Sequence, residues 1–237
     1  MIKKGIVLGL VFGLALTGKL SAQEKAVENT GLVGYWSFDE GKGDAVSDFS
    51  GNKNQGATKG GAEWVEGVKG KALKFNGKDA YVVIETTESL RTLNEISIEA
   101  WIFPTPPHQQ GYGGIINNIN GTSHSRLLVT DDGKLAAQLH GTEGSDTVYG
   151  PKVDNNAWNH VVYVYNGEEE MWYLNGVEVA SSPYDGLPRG PAAITIGWGY
   201  TTPEYYHFNG IIDEVRIYQR ALTDKEIQEK FKERGMI

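Results

Sequence analysis

The chain has 237 residues, with 30 Asp and Glu against 22 Lys and Arg, a formal net charge of −8 and no cysteine. That balance argues against a nucleic-acid partner, since phosphate binding needs clustered Lys and Arg, and it disfavours adhesion to anionic lipid. Without a thiol there is no disulfide, no thiolate nucleophile, no zinc–thiolate or iron–sulfur site, and no lipid anchor on cysteine.

The chain opens on Met1-Ile2-Lys3-Lys4, an apolar run from Gly5 to Leu16, and the small residues around Leu20-Ser21-Ala22. A basic start, a short apolar stretch and a small-residue site predict a secretory signal over residues 1–22, too short to span a bilayer and cleaved before Gln23. The protein is therefore expected to be exported to the periplasm, cell surface or exterior, with no integral membrane segment after cleavage. Losing Lys3, Lys4 and Lys19 takes the formal charge from −8 to −11. Residues 23–31 read as a polar lead, and residues 32–237 as one domain, because no second composition regime and no linker follow.

From there, short apolar segments alternate with turn residues. Val33–Phe38, Ala72–Phe75, Tyr81–Ile84, Ile96–Phe103, Gly114–Asn118, Arg126–Thr130, Leu135–His140, His160–Tyr165, Met171–Leu174, Val177–Ala180, Ala193–Ile196 and Ile211–Tyr218 are rich in Val, Ile, Tyr and Trp, which predicts strands. Asp132-Gly133 and Asn175-Gly176 signal hairpins, since Asn-Gly and Asp-Gly accept the positive φ of tight primed turns. Asn76-Gly77, Asn166-Gly167 and Asn209-Gly210 are further turn candidates. A dozen short strands predict an all-β, two-sheet antiparallel sandwich. Near the end, Thr223-Asp224-Lys225-Glu226 has the form of a capping box, and Ile227 and Phe231 would share a helix face, which predicts a short C-terminal helix.

Three ordered stretches carry a family resemblance. The first is Gly34-Tyr35-Trp36-Ser37-Phe38-Asp39-Glu40-Gly41 with Asp48-Phe49-Ser50-Gly51-Asn52-Lys53-Asn54-Gln55-Gly56. The second is Ala157-Trp158-Asn159-His160-Val161-Val162 with the hairpin Met171–Val179, and the third is Phe208–Thr223, containing Asp213-Glu214-Val215-Arg216-Ile217-Tyr218. Together they resemble the laminin-G-like jelly-roll domains of the concanavalin A-like lectin/glucanase superfamily, over roughly Leu32 to Phe231. The resemblance implies a jelly roll and a structural calcium near the Asp48 loop.

Three constellations bear on chemistry. Asp48, Gly51, Asn52 and Asn54 lie in an Asp/Asn/Gly loop of the kind that offers oxygens to calcium, which takes six to eight of them. Asp213 could add a carboxylate from the last strand, so Asp48, Asn54 and Asp213 are the metal candidates, with Asp39 further out. The competing reading is an Asx turn in which Asp48 caps local amides. Second, Trp198, Tyr200, Tyr205, Tyr206 and His207 crowd residues 197–208, where their rings could stack on a sugar or simply pack the sandwich edge. Asn118, Arg126 and Gln138 are polar candidates to accompany them. Third, Glu95, Ser97 and Glu99 alternate onto one strand face. Laminarinase-like relatives carry a carboxylate between two glutamates there, and Ser97 removes it. The function expected is non-catalytic recognition of an extracellular glycan or glycoprotein. A glycan hydrolase or lyase and a structural or protein–protein module of the envelope are the alternatives.

Overall fold

The computed structural model describes residues 30–85, 88–90, 94–120, 123–141, 144–183, 193–199 and 205–233, with the side chains of 118–120, 123–125, 138–141 and 144–146 outside that set. The expected signal and nearly all of the lead lie outside the described residues. Sixteen strands follow: β1 (Leu32–Trp36), β2 (Ala45–Val46), β3 (Gly56–Lys59), β4 (Glu63–Glu66), β5 (Lys71–Asn76), β6 (Tyr81–Glu85), β7 (Ile96–Pro104) and β8 (Tyr112–Asn120). Then come β9 (Ser123–Thr130), β10 (Lys134–Gly141), β11 (Gly144–Lys152), β12 (Asn159–Tyr165), β13 (Glu169–Leu174), β14 (Val177–Pro183), β15 (Ala193–Ile196), β16 (Asn209–Tyr218) and the helix α1 (Asp224–Lys232).

Two eight-stranded antiparallel sheets result. Sheet A runs β14-β13-β12-β7-β16-β5-β4, with β1 also on β16, and sheet B runs β11-β10-β9-β8-β15-β6-β3-β2. On one edge of β16, β5 pairs with Asn209–Ile212 and β1 with Val215–Tyr218. Asp213 and Glu214 fall between these partners. Against β7, Asp213 pairs with Trp101 and Arg216 with Glu99, so β16 carries an extra residue there and Glu214 sits at φ 53°. This bulge turns two acidic side chains out of the plain alternation of an apolar strand.

The strand period of two sorts the side chains. Leu73, Phe75, Ile98, Ala100, Ile102, Val161 and Tyr163 of sheet A face Val82, Ile84, Ile116, Leu127, Val129, Leu135, Ile194 and Ile196 of sheet B, forming the main core. A second cluster of Leu32, Val162, Val164, Tyr173, Tyr218, Leu222 and Ile227 lies on the other face of sheet A, beneath α1. The capping box forms as the sequence predicts: the Glu226 amide donates to Thr223 Oγ1 at 3.3 Å, and the Thr223 amide donates to Glu226 Oε2 at 2.8 Å. Fixing that first turn aims Ile227 at the sheet, where its full burial contributes about 1.5–3 kcal/mol.

Turn chemistry follows the sequence at Asn175 (φ 51°) and Gly176 (φ 80°), a pair in the left-handed region as a primed hairpin requires. Asn209-Gly210 does not make a turn; it opens β16. The sequence pattern does not mark β2, β3, β4 or β11: β2 has only two residues, and the Lys, Glu, Gly and Pro of the other three hide their alternation.

Candidate binding site

The two described ends of the 197–208 stretch, 197–199 and 205–208, pair with each other as a narrow ribbon over sheet B, with a bridge between Trp198 and His207. Phe208 N–H donates to Gly197 O at 2.9 Å, and the amides of Gly114 and Gly199 both donate to Tyr206 O, at 2.9 and 3.1 Å. Gly114 and Gly199 approach so closely that a Cβ on Gly114 would stand 2.0 Å from the Gly199 nitrogen. Only glycine permits that seating. Below the ribbon, buried His108 stacks on Phe208 at 5.3 Å and accepts the Asn209 N–H at its Nδ1, 3.1 Å away. Burial, against a weaker pull from Asp131, lowers the pKa of His108 to about 4.

The ribbon sends its rings in two directions. Trp198 stacks on buried His207 (5.6 Å, 5°), leans on Tyr81 (5.1 Å) and donates its Nε1–H to Tyr205 O at 3.0 Å. Tyr206 instead lies beside Tyr112, 4.9 Å between centroids, under the Arg126 guanidinium at 5.4 Å. The Tyr112 hydroxyl hydrogen-bonds with Tyr149, which raises its pKa, and Lys134 Nζ sits 4.6 Å over the Tyr149 ring. Tyr149 is 48 % exposed and Tyr205 41 %, so flat apolar faces remain open to solvent. Rings of this kind present an apolar body with a polar rim.

A polar row runs beside these tyrosines on the outer face of sheet B. In register, Thr195 of β15 stands next to Asn117 of β8, which stands next to Arg126 of β9, and Gln138 of β10 follows. Thr195 Oγ1 donates to Trp198 O at 2.7 Å and Arg126 Nη1 to Gly199 O at 2.9 Å, so both flanks of the row hold the ribbon down. Among the predicted ligand-binding residues, the structure brings Arg126, Tyr206 and, by register, Gln138 together, and places Trp198 and His207 in a separate stack. Asn118 pairs with Ile194, one row over; the side chains of Asn118 and Gln138, and Tyr200 altogether, lie outside the described residues. Tyr112, Tyr149, Asn117 and Thr195 escaped the sequence reading. The alternation Thr147-Val148-Tyr149 carried a signal for β11, but Gly144, Gly150 and Pro151 around it read as loop.

The metal candidates are engaged with backbone and hydroxyl donors. The Asp48 carboxylate accepts four donors: Tyr35 N (3.0 Å) and Ser50 N (2.8 Å) at Oδ1, and Ser50 Oγ and Asn54 N (2.9 Å each) at Oδ2. Asn54 Nδ2 donates to Val33 O at 2.7 Å, and its backbone carbonyl accepts the Trp36 Nε1–H at 2.9 Å. Asp213 Oδ2 accepts the amides of Val68 and Lys69, at 2.9 and 3.2 Å. Asp39 accepts Lys71 N–H. A calcium site gathers oxygens around one point, whereas Asp48 has gathered N–H and O–H groups that fill its lone pairs. The filled Asp48 carboxylate therefore does not fit a calcium centred on its own loop, and the Asx-turn alternative describes it, while Asp213 pins the β4–β5 turn. No group of three or more His, Asp or Glu able to hold a metal occurs among the described residues.

Glu95, Ser97 and Glu99 do share a face, but it is the face that the C-terminal segment covers. Glu95 Oε2 accepts Ala221 N–H at 3.1 Å, and Ser97 Oγ accepts Leu222 N–H at 2.9 Å while donating to Arg220 O at 2.8 Å. Glu99 is fully buried, with Oε1 at 3.1 Å from His160 Nε2 and 3.3 Å from Arg216 Nη1. Arg216 also binds Glu214, which accepts the Tyr35 hydroxyl at 2.9 Å. Burial opposes ionisation of Glu99, but Arg216, His160 and Lys230 outweigh it and hold the carboxyl far below its ordinary range. These groups latch the fold.

Two comparisons frame this geometry. The profile of the Concanavalin A-like lectin/glucanases superfamily matches residues 76–228, more than half of the chain. Among solved structures, the binding domain of Paraclostridial Mosquitocidal Protein 1 superposes with a TM-score of 0.71 at 19% identity, over 87% of this chain and 53% of that one. The Botulinum Neurotoxin serotype G binding domain gives 0.72 at 14% identity, over 86% and 51%. The chain thus spans about half the length of these toxin binding domains. Domain 4 of AbnA, a GH43 extracellular arabinanase from Geobacillus stearothermophilus solved with arabinotriose, gives 0.65 at 22% identity, over 84% of this chain and 97% of that one. At such identities the likeness shows the fold.

Proposed function

The chain belongs to the Concanavalin A-like lectin/glucanases superfamily, and on that premise we propose that it is a non-catalytic binding module that recognises an extracellular glycan or glycoprotein through the outer face of sheet B. The observation that carries this reading is the cluster of Tyr112, Tyr149 and Tyr206 beside the row Asn117–Arg126, with Tyr149 nearly half exposed. Sugar rings offer C–H faces to aromatic rings and hydroxyls to planar polar partners, and this face supplies both within one patch. The arabinanase domain solved with arabinotriose and the toxin binding domains supply the precedent for ligand binding on this fold, not the ligand.

The hydrolase alternative loses support from the same geometry. Glu95, Ser97 and Glu99 spend their oxygens on the 220–222 backbone and on buried cations, leaving no room for a substrate and its water on that face. The basic, apolar, small-residue order of Met1–Ala22 supports export of the module. Calcium is left out of this reading because Asp48 does not fit it.

A glycan array that includes arabinotriose, run with and without chelator, tests the proposal. Saturable binding that is indifferent to chelator is expected. Silence on every glycan overturns the glycan reading and shifts weight to a protein partner.

A further inference from the structure

Asn117 has no exposed surface, and neither its Oδ1 nor its Nδ2 has a hydrogen-bond partner among the described residues. A buried side-chain amide left empty at both ends is costly, and such groups in folded proteins call for an explanation. Its two neighbours in the row are occupied: Thr195 is tied to Trp198 O and Arg126 to Gly199 O. Asn117 stands between those ties, on the face that also carries Tyr112, Tyr149 and Tyr206. Elsewhere in the molecule buried asparagines are used up; Asn54 and Asn159 both bond to backbone groups through their amides.

Resting on the binding reading above, we propose that Asn117 is a recessed ligand contact that recognises two adjacent hydroxyls of a neutral sugar. The chemistry follows from the amide. It offers one acceptor and one donor side by side, and a vicinal diol returns one donor and one acceptor at matching spacing. An anionic group offers acceptors alone, which would leave Oδ1 buried and facing negative charge. Engagement requires the Trp198–Gly199 segment to give way, and the Thr195–Trp198 and Arg126–Gly199 hydrogen bonds are the side-chain ties that hold it to the row. Asn117 is then a residue kept for binding at the expense of the free protein's stability.

The test combines binding with melting, in the full mature chain. The probes are linear arabinan, whose internal residues keep a 2,3-diol, and laminarin, whose 3-linked residues have none. Affinity electrophoresis of the wild type should show retardation by arabinan and none by laminarin, and periodate oxidation of the arabinan should abolish it. Asn117→Leu, close in size, should weaken arabinan binding at least tenfold and raise the melting temperature of the free protein by about 3–6 °C, because an unpaired amide is removed. Asn117→Asp, which keeps the shape and loses the donor, should also bind at least tenfold more weakly. A lower melting temperature in Asn117→Leu would show that the amide is satisfied internally and overturn the proposal. Equal arabinan binding by the wild type and Asn117→Leu overturns the contact while leaving the binding face standing. Binding to laminarin as tight as to arabinan overturns the diol chemistry alone; failure to bind arabinan overturns the proposal, and the premise falls with it only when the whole glycan array is silent.

Discussion

The two outer faces of the sandwich are built to opposite rules. On sheet A, the C-terminal helix and the 220–222 segment cover the strands, and the carboxylates beneath them meet cations: Glu99 and Glu214 meet Arg216, with His160 and Lys230 close to Glu99. On sheet B, no helix covers the strands among the described residues, Tyr149 and Tyr205 lie open, and a buried amide is unmatched. A charge under a helix must be paired or the fold fails; an unpaired group beside open rings is what a ligand can complete. The contrast sets the face that holds the protein together against the face we propose for binding.

The largest expected effect breaks sheet A. Arg216→Met leaves Glu99 and Glu214 buried without their countercharge, at a cost of about 3–5 kcal/mol. Melting should fall by roughly 10 °C, while the glycan affinity of the molecules still folded stays unchanged. A loss below about 1 kcal/mol by denaturant titration would mean that the network is not what secures this face.

Acid should act next, through the support of the sheet-B ribbon. His108 is neutral in the fold down to about pH 4, whereas the unfolded chain takes up its proton near the ordinary 6.5. Its contribution is fully present above pH 6.5 and is lost progressively as pH falls toward 4, by about 3 kcal/mol at full protonation. Protonation would also end the Asn209 N–H bond to Nδ1. Melting curves between pH 7 and 4 should show this slope in the wild type and a shallower one in His108→Gln; parallel slopes would exclude His108 as the cause.

Much of this was readable in the sequence, and what was not has a physical reason. Period-two alternation of Val, Ile and Tyr marked the buried strands, Asn175-Gly176 marked a hairpin, and Thr223–Glu226 marked the helix start, because each is a local signal. Asp48 stays ambiguous in the sequence because an Asp/Asn/Gly loop looks the same whether its oxygens converge on a cation or its carboxylate collects amides, and only the direction of the donors separates the two. Tyr112, Asn117 and Tyr149 are far apart in sequence and become one patch through the pairing of β8, β9, β10 and β11, a long-range fact. Asn117 and Asn118 differ by one residue, and strand register alone decides which row each joins.

Trp198 sharpens the comparison within sheet B itself. Its ring is engaged with His207 and Tyr81, so Trp198→Ala should lower stability by about 1–2 kcal/mol and change glycan affinity less than threefold. A tenfold affinity loss with unchanged melting would move Trp198 into the binding surface. The smallest effect concerns calcium. With the Asp48 oxygens filled by four donors, millimolar calcium or chelator should leave the melting temperature unchanged within error. A calcium-dependent rise that disappears in Asp48→Asn would show that the loop rearranges around a cation after all.

Tyr149 decides most directly whether the outer face of sheet B is the binding surface. It stands half in solvent, with Lys134 above one side and Tyr112 at its hydroxyl, so truncating it disturbs little of the fold. Isothermal titration of Tyr149→Ala with the tightest glycan from the array should show at least a tenfold loss of affinity, about 1.4 kcal/mol, with the melting temperature within about 2 °C of the wild type. An affinity unchanged in both Tyr149→Ala and Tyr206→Ala would place the ligand elsewhere on the molecule and contradict the assignment of this face.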